Sequence, residues 1–80
     1  MLIKDIKQSG GITFFSLKNT EDKDARSFAT AVIKKDFYGG YILTIRGCGV
    51  IQMDVVAFSF EDAEARLDAW GEEFINIGEG

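Results

Sequence analysis

Between Lys35 and Trp70 the apolar residues change period once, and that change limits the chain to few architectures. Tyr41, Leu43 and Ile45 alternate with polar or opposite-facing residues, and so do Ile51, Met53, Val55 and Ala57. A period of two belongs to strands with one face buried. From Ser59 onward the spacing becomes 3, 4, 3 and 4 through Phe60, Ala63, Leu67, Trp70 and Phe74, which is one stripe of an α-helix. Ser59 suits the N-cap, and Asp62 three residues later completes a variant of the capping box. Glu61 and Asp62 occupy the first turn, where the helix dipole favours negative charge, and Asp62 and Arg66 stand one turn apart as an ion pair. Glycines punctuate the strands. Asp36 to Tyr41 (D-F-Y-G-G-Y) reads as a tight connection, and Gly47-Cys48-Gly49 supplies the positive φ of a hairpin.

Upstream the signals are weaker. Residues 2–7 read as a strand, Ser9-Gly10-Gly11 as a turn, and Ile12 to Lys18 as a better strand because aromatic and β-branched residues suit a pleated surface. Asn19 to Asp24 is a polar loop. Residues 25–36 fit two periods. Ala25, Phe28, Ala29, Val32 and Ile33 make a helical stripe, while Phe28, Thr30 and Val32 alternate with Ala29, Ala31 and Ile33 as in a strand. The strand is the favoured reading, since hairpin-linked neighbours are the commoner arrangement. Gly71 leaves open whether residues 72–77 continue the helix or form a short strand. The expected fold is α+β: one antiparallel sheet of four or five strands, with a C-terminal helix across a face, formed as one domain over residues 1–80.

Charge is unevenly spread. Residues 1–58 hold eight Lys and Arg against six Asp and Glu, whereas residues 59–80 hold one Arg against seven acids, for a net charge of −4. The whole chain thus lacks the basic excess of a protein held mainly by phosphates, and Lys34, Lys35 and Arg46 are its candidate local patch. Scattered lysines that keep strand edges soluble are the competing explanation. No apolar run reaches a membrane span, the N-terminus does not read as a signal peptide, and one cysteine forms no internal disulfide. A cytoplasmic location is expected. At 80 residues self-association would add useful burial, so a homodimer is among the expectations.

Chemistry-bearing groups are few. There is no histidine, the usual general base and metal ligand. Cys48, with Arg46 nearby, reads either as a reactive thiol or as a small residue in a hairpin, the second being favoured. Gly47-x-Gly49 lacks the third glycine of a dinucleotide fingerprint. Glu61, Asp62, Glu64, Asp68, Glu72 and Glu73 read as the solvated side of an amphipathic helix, with an acidic docking surface as the functional alternative. Trp70, Phe74 and the Phe14-Phe15 pair are assigned mainly to the core, with partner anchoring as the alternative. Tyr38 and Tyr41, flanking Gly39-Gly40, are the aromatics placed on an exposed face. Neither a catalytic centre nor a cofactor or metal site is expected.

Taken together, D-F-Y-G-G-Y-I-L-T-I-R-G-C-G-V-I and F-S-F-E-D-A-E-A-R-L resemble a divergent WGR domain over about residues 26–70. That family is found beside the catalytic region of poly(ADP-ribose) polymerases and as small stand-alone bacterial proteins. The resemblance implies an antiparallel sheet with one helix packed on it, and nucleic-acid contact. In the family pattern Cys48 stands at the signature Trp, Gly49 matches, Val50 replaces the Arg, Ile51 matches and Gln52 replaces the final Gly. Only Arg46 carries over by side chain, and Gly39, Gly40 and Gly49 carry over as backbone features.

These readings converge on a non-enzymatic binding module acting on a protein partner or on itself. The expected contacts are the Tyr38–Tyr41 region, the hairpin at Gly47–Gly49 with Arg46 and Cys48, or the acidic helix with Glu64, Asp68 and Glu72. The alternatives are WGR-like nucleic-acid binding and a small acidic inhibitor, of phage or mobile-element origin, acting on a nucleic-acid enzyme.

Overall fold

The computed structural model describes residues 2–47 and 50–79. Five strands, β1 (Ile3–Ser9), β2 (Ile12–Lys18), β3 (Ala29–Lys35), β4 (Tyr41–Gly47) and β5 (Val50–Ala57), precede one helix, α1 (Phe60–Glu79). The strands form a single antiparallel sheet in chain order, so each pairs with its sequence neighbour. The helix lies across β3, β4 and β5. This is the α+β arrangement that the period change predicts. Residues 25–36 resolve as loop followed by strand. Ala29, Ala31 and Ile33 point to the helix side and are buried, whereas Thr30 and Val32 point away. Pairing on both sides, with β2 and β4, settles a local pattern that fits either period.

Turn chemistry explains the hairpins. Gly10 and Gly11 both take positive φ, 59° and 80°, as a two-residue hairpin loop requires for its twist to match the strands. In the β3–β4 loop the Asp36 carbonyl accepts from Gly39 N–H at 3.2 Å, and the Asp36 carboxylate accepts from Phe37 N–H at 2.7 Å. Gly39 closes that turn at φ 94°. The expected hairpin residues Cys48 and Gly49 lie outside the described residues.

The core is a single sandwich layer. Leu17, Leu43, Ile45 and Leu67 are fully buried or nearly so, joined by Phe15, Ile33 and Ala63. The helix starts as its sequence predicts. Ser59 Oγ accepts from Asp62 N–H at 3.0 Å, and Asp62 Oδ2 accepts from Phe58 N–H at 3.2 Å. That reciprocal cap is worth about 1 kcal/mol on the Ser59 side. The Phe58 bond, aided by Arg66, holds the Asp62 carboxyl below its ordinary pKa.

Gly71 does not end the helix. Residues 72–77 remain helical, so the terminal-strand alternative falls away. Gly71 is buried, and a Cβ there would lie 2.9 Å from both Leu2 Cδ atoms. The missing side chain is therefore the space that Leu2 fills when the start of the chain docks on α1. Gly71→Ala is expected to change stability by less than about 0.5 kcal/mol, because a gain of about 1 kcal/mol in helix propensity is offset by displacing Leu2. In a Leu2→Ala background the same change should stabilise by about 1 kcal/mol. A double-mutant cycle in urea measures that coupling, and simple additivity would disprove it. No helix among the described residues is long and apolar enough to cross a membrane.

Candidate functional site

Strand direction and register sort the surface into three regions. The first is the end of the sheet where β3 turns into β4 and β5 runs into α1. Phe37 and Tyr38 sit at the tip of the β3–β4 hairpin, 94% and 91% exposed, with their rings edge to face at 5.6 Å. Phe58, 90% exposed, leaves β5 at the same end, since Tyr41 pairs with Ala57. The two connections touch. A Cβ on Gly40 would come within 3.1 Å of the Ala57 carbonyl oxygen, so glycine is what lets them approach. Val56, also well exposed, extends the apolar surface from this end onto the open face of the sheet.

Tyr41 does not belong to this exposed set, which corrects the sequence expectation. As the first residue of β4 it shares parity with Leu43 and Ile45, so it faces the helix and meets Phe60 edge to face at 6.4 Å. Tyr38 sits in a turn, where no ladder dictates its direction, and is exposed as expected.

The second region is the flank where α1 meets β1, and here the acidic-helix reading changes. Glu64, Asp68 and Glu72 are four residues apart and therefore align on one side of α1. That side faces β1. The Lys4 ammonium lies 2.5 Å from Glu64 Oε2 and 2.7 Å from Asp68 Oδ1. Asp68 Oδ1 is buried and lacks an aligned hydrogen bond, so its contact with Lys4 is ionic. Glu72 Oε1 accepts from Leu2 N–H at 3.1 Å. Burial depresses the Lys4 pKa, but the paired carboxylates of Asp68 and Glu64 outweigh it and hold it above the ordinary lysine value. Lys4 also stands 5.8 Å from the centroid of the Phe15 ring. The three acids thus fasten the edge strand to the helix, whereas Glu61 and Glu73 remain on the solvated side. Sequence reasoning passed over Lys4, although Leu2, Lys4 and Ile6 share one parity and the 64, 68, 72 spacing makes a matching acidic row.

The third region is the face of the sheet opposite α1. Pairing builds it in rows: Lys7, Phe14, Val32, Thr44 and Asp54 form one, with Ile12, Lys34, Ile42 and Val56 on one side of it. On its other side lie Asp5, Ser16, Thr30 and Arg46. A shallow groove of ≈ 580 Å³ runs over Phe14, Val32 and Thr44 between Lys34 and Arg46. Lys35 belongs to the opposite face, in the row of Tyr41 and Ala57, so the expected basic trio is divided by the sheet. Phe14 is 42% exposed here while Phe15 is in the core. Trp70 and Phe74, half-buried, stack with Phe28 at 6.4 and 5.0 Å, which places them in packing that closes the other end of the molecule. Cys48 lies outside the described residues.

No family model, curated protein or solved structure matches this chain, and the WGR resemblance stands on its quoted residues alone.

Proposed function

We propose that this chain is a non-enzymatic binding module that engages a protein partner through the aromatic end of its sheet. The observation that carries the reading is the convergence of Phe37, Tyr38 and Phe58, each about nine-tenths exposed, on two touching connections. An aromatic side chain buries roughly 150–250 Å² when covered, so three exposed together are an energetic cost to the free protein and a large potential gain on association. Aromatic residues of this kind dominate the energetics of protein interfaces. The hairpin carries Phe37 and Tyr38 at its tip and the adjoining connection carries Phe58, and the partner is expected to offer an apolar recess.

The acidic helix supports the inhibitor reading less well, because Glu64, Asp68 and Glu72 are engaged with β1. Self-association remains one form of the proposal, with the second copy as partner.

The test compares wild type with a Phe37→Ser, Tyr38→Ser double variant. Both substitutions are at exposed positions, so the unfolding free energy read from urea titration should change by no more than about 0.5 kcal/mol. Light-scattering mass across a concentration series, and calorimetric titration of any stoichiometric partner, should show association weakened at least tenfold. A dimer that the double variant dissolves identifies the second copy as the partner. Association of unchanged strength in the folded variant would overturn the assignment.

A further inference from the structure

The open face of the sheet has a different character from the aromatic end and points to a different ligand. We propose that it binds single-stranded nucleic acid, with phosphates at Lys34 and Arg46 and a base against Phe14. Lys34 pairs with Ile42, and Arg46 lies four residues further along β4, so the two cations stand about 13 Å apart along the strands. Phe14 occupies the row midway between them, on the neighbouring strand β2, with Val32 beside it. The groove passes over these residues, and the hydroxyls of Ser16 and Thr30 line its Arg46 end. Lys7 extends the positive side beyond Phe14. Among the described residues, Lys7, Lys34 and Arg46 form no ion pair.

Charge selects the occupant. The described open face carries four cations, Lys7, Lys18, Lys34 and Arg46, against Asp5 and Asp54. Asp54 accepts from Thr44 Oγ1 at 2.8 Å at the margin of the face, and Asp5 lies 3.7 Å from Lys18. The helix acids are on the other side of the sheet, so the net −4 of the chain conceals a cationic face. A second copy laid sheet to sheet would press two such faces together, and like charges oppose that contact. An anionic chain satisfies both. The aromatic ring favours a single strand over a duplex, because only an unstacked base offers it a free π-face.

Fluorescence anisotropy with labelled oligo-dT and oligo-U, a duplex of equal length and an oligoglutamate peptide tests the proposal from about 20 to 200 mM salt. Both single strands should bind in preference to the duplex, with a log–log salt slope of roughly −1.4 to −2.1 for two to three phosphates. The two oligonucleotides establish which sugar is preferred. Lys34→Glu with Arg46→Glu should abolish binding, and Phe14→Ala should weaken it about tenfold while circular dichroism shows the fold intact. Lys23→Glu, in the β2–β3 loop, should weaken it less than twofold. Absent binding at 20 mM salt, binding indifferent to the double charge reversal, or oligoglutamate bound as tightly as oligo-dT would each overturn the proposal. None of these outcomes touches the aromatic-end reading, which concerns other residues.

Discussion

Leu67→Ala is expected to remove 2–5 kcal/mol of stability, enough to unfold much of the population of a domain this small. Leu67 is fully buried at the middle of α1, in the same core as Leu43, Ile45 and Ile33. Truncation forfeits the transfer of its methyl groups and leaves a cavity that β-strands tied on both sides close poorly. Among the described residues α1 is the one helix that covers the sheet, so no second element can move in. Leu67→Met keeps the volume and should cost less than about 1.5 kcal/mol. Urea denaturation of the two variants reads the difference. A Leu67→Ala loss below 1 kcal/mol would mean that α1 does not rest on the sheet where these contacts place it.

Lys4→Glu is expected to be the most damaging change among the charged residues, at about 2–3 kcal/mol. It places a third carboxylate against Glu64 and Asp68 and leaves the buried Asp68 Oδ1 with no counter-ion. Breaking a fully buried pair costs about 3–5 kcal/mol, and the partial exposure of Glu64 and Asp68 lowers that figure here. Lys4→Met separates the charge from the packing, since it keeps the aliphatic stem beside Phe15. The pH dependence follows from the raised Lys4 pKa. A group whose folded pKa is raised contributes its full stabilisation below the unfolded value. That stabilisation is lost as pH rises through the folded value. The stability difference between wild type and Lys4→Met should therefore hold steady from pH 7 to about 10 and shrink above the ordinary lysine pKa of about 10.4. A difference that stays constant to pH 12, or shrinks between pH 7 and 9, would show that Lys4 is not the group holding β1.

Several parts of the fold follow from local chemistry and were legible in the residues. The Gly10-Gly11 hairpin needs two positive φ values, and few residues other than glycine supply them without strain. The Ser59–Asp62 cap is written in residue types that accept backbone hydrogen bonds at that spacing. The alternation at Tyr41, Leu43 and Ile45 carried its own facing, and so also the helix-side packing of the partly buried Tyr41 that its position beside glycines obscured. Gly71 was misleading because a glycine inside a helix has the same local meaning whether the helix stops or another segment approaches. Leu2, sixty-nine residues earlier, decides between the two.

By itself, then, the sequence determined the α+β class, the Gly10-Gly11 hairpin and the start of the helix, because periodicity, capping and turn geometry act within a few residues, whereas pairing with β2 and β4 decided that β3 is a strand. Tertiary structure alone decided how charge and aromatics are shared out. Antiparallel register gathered Lys34, Phe14 and Arg46 from three strands onto one face and sent Lys35 to the other. Packing of β1 beside α1 turned an acidic row into the partner of Lys4. Both outcomes depend on contacts between segments far apart in the chain, and no local pattern encodes such a distance.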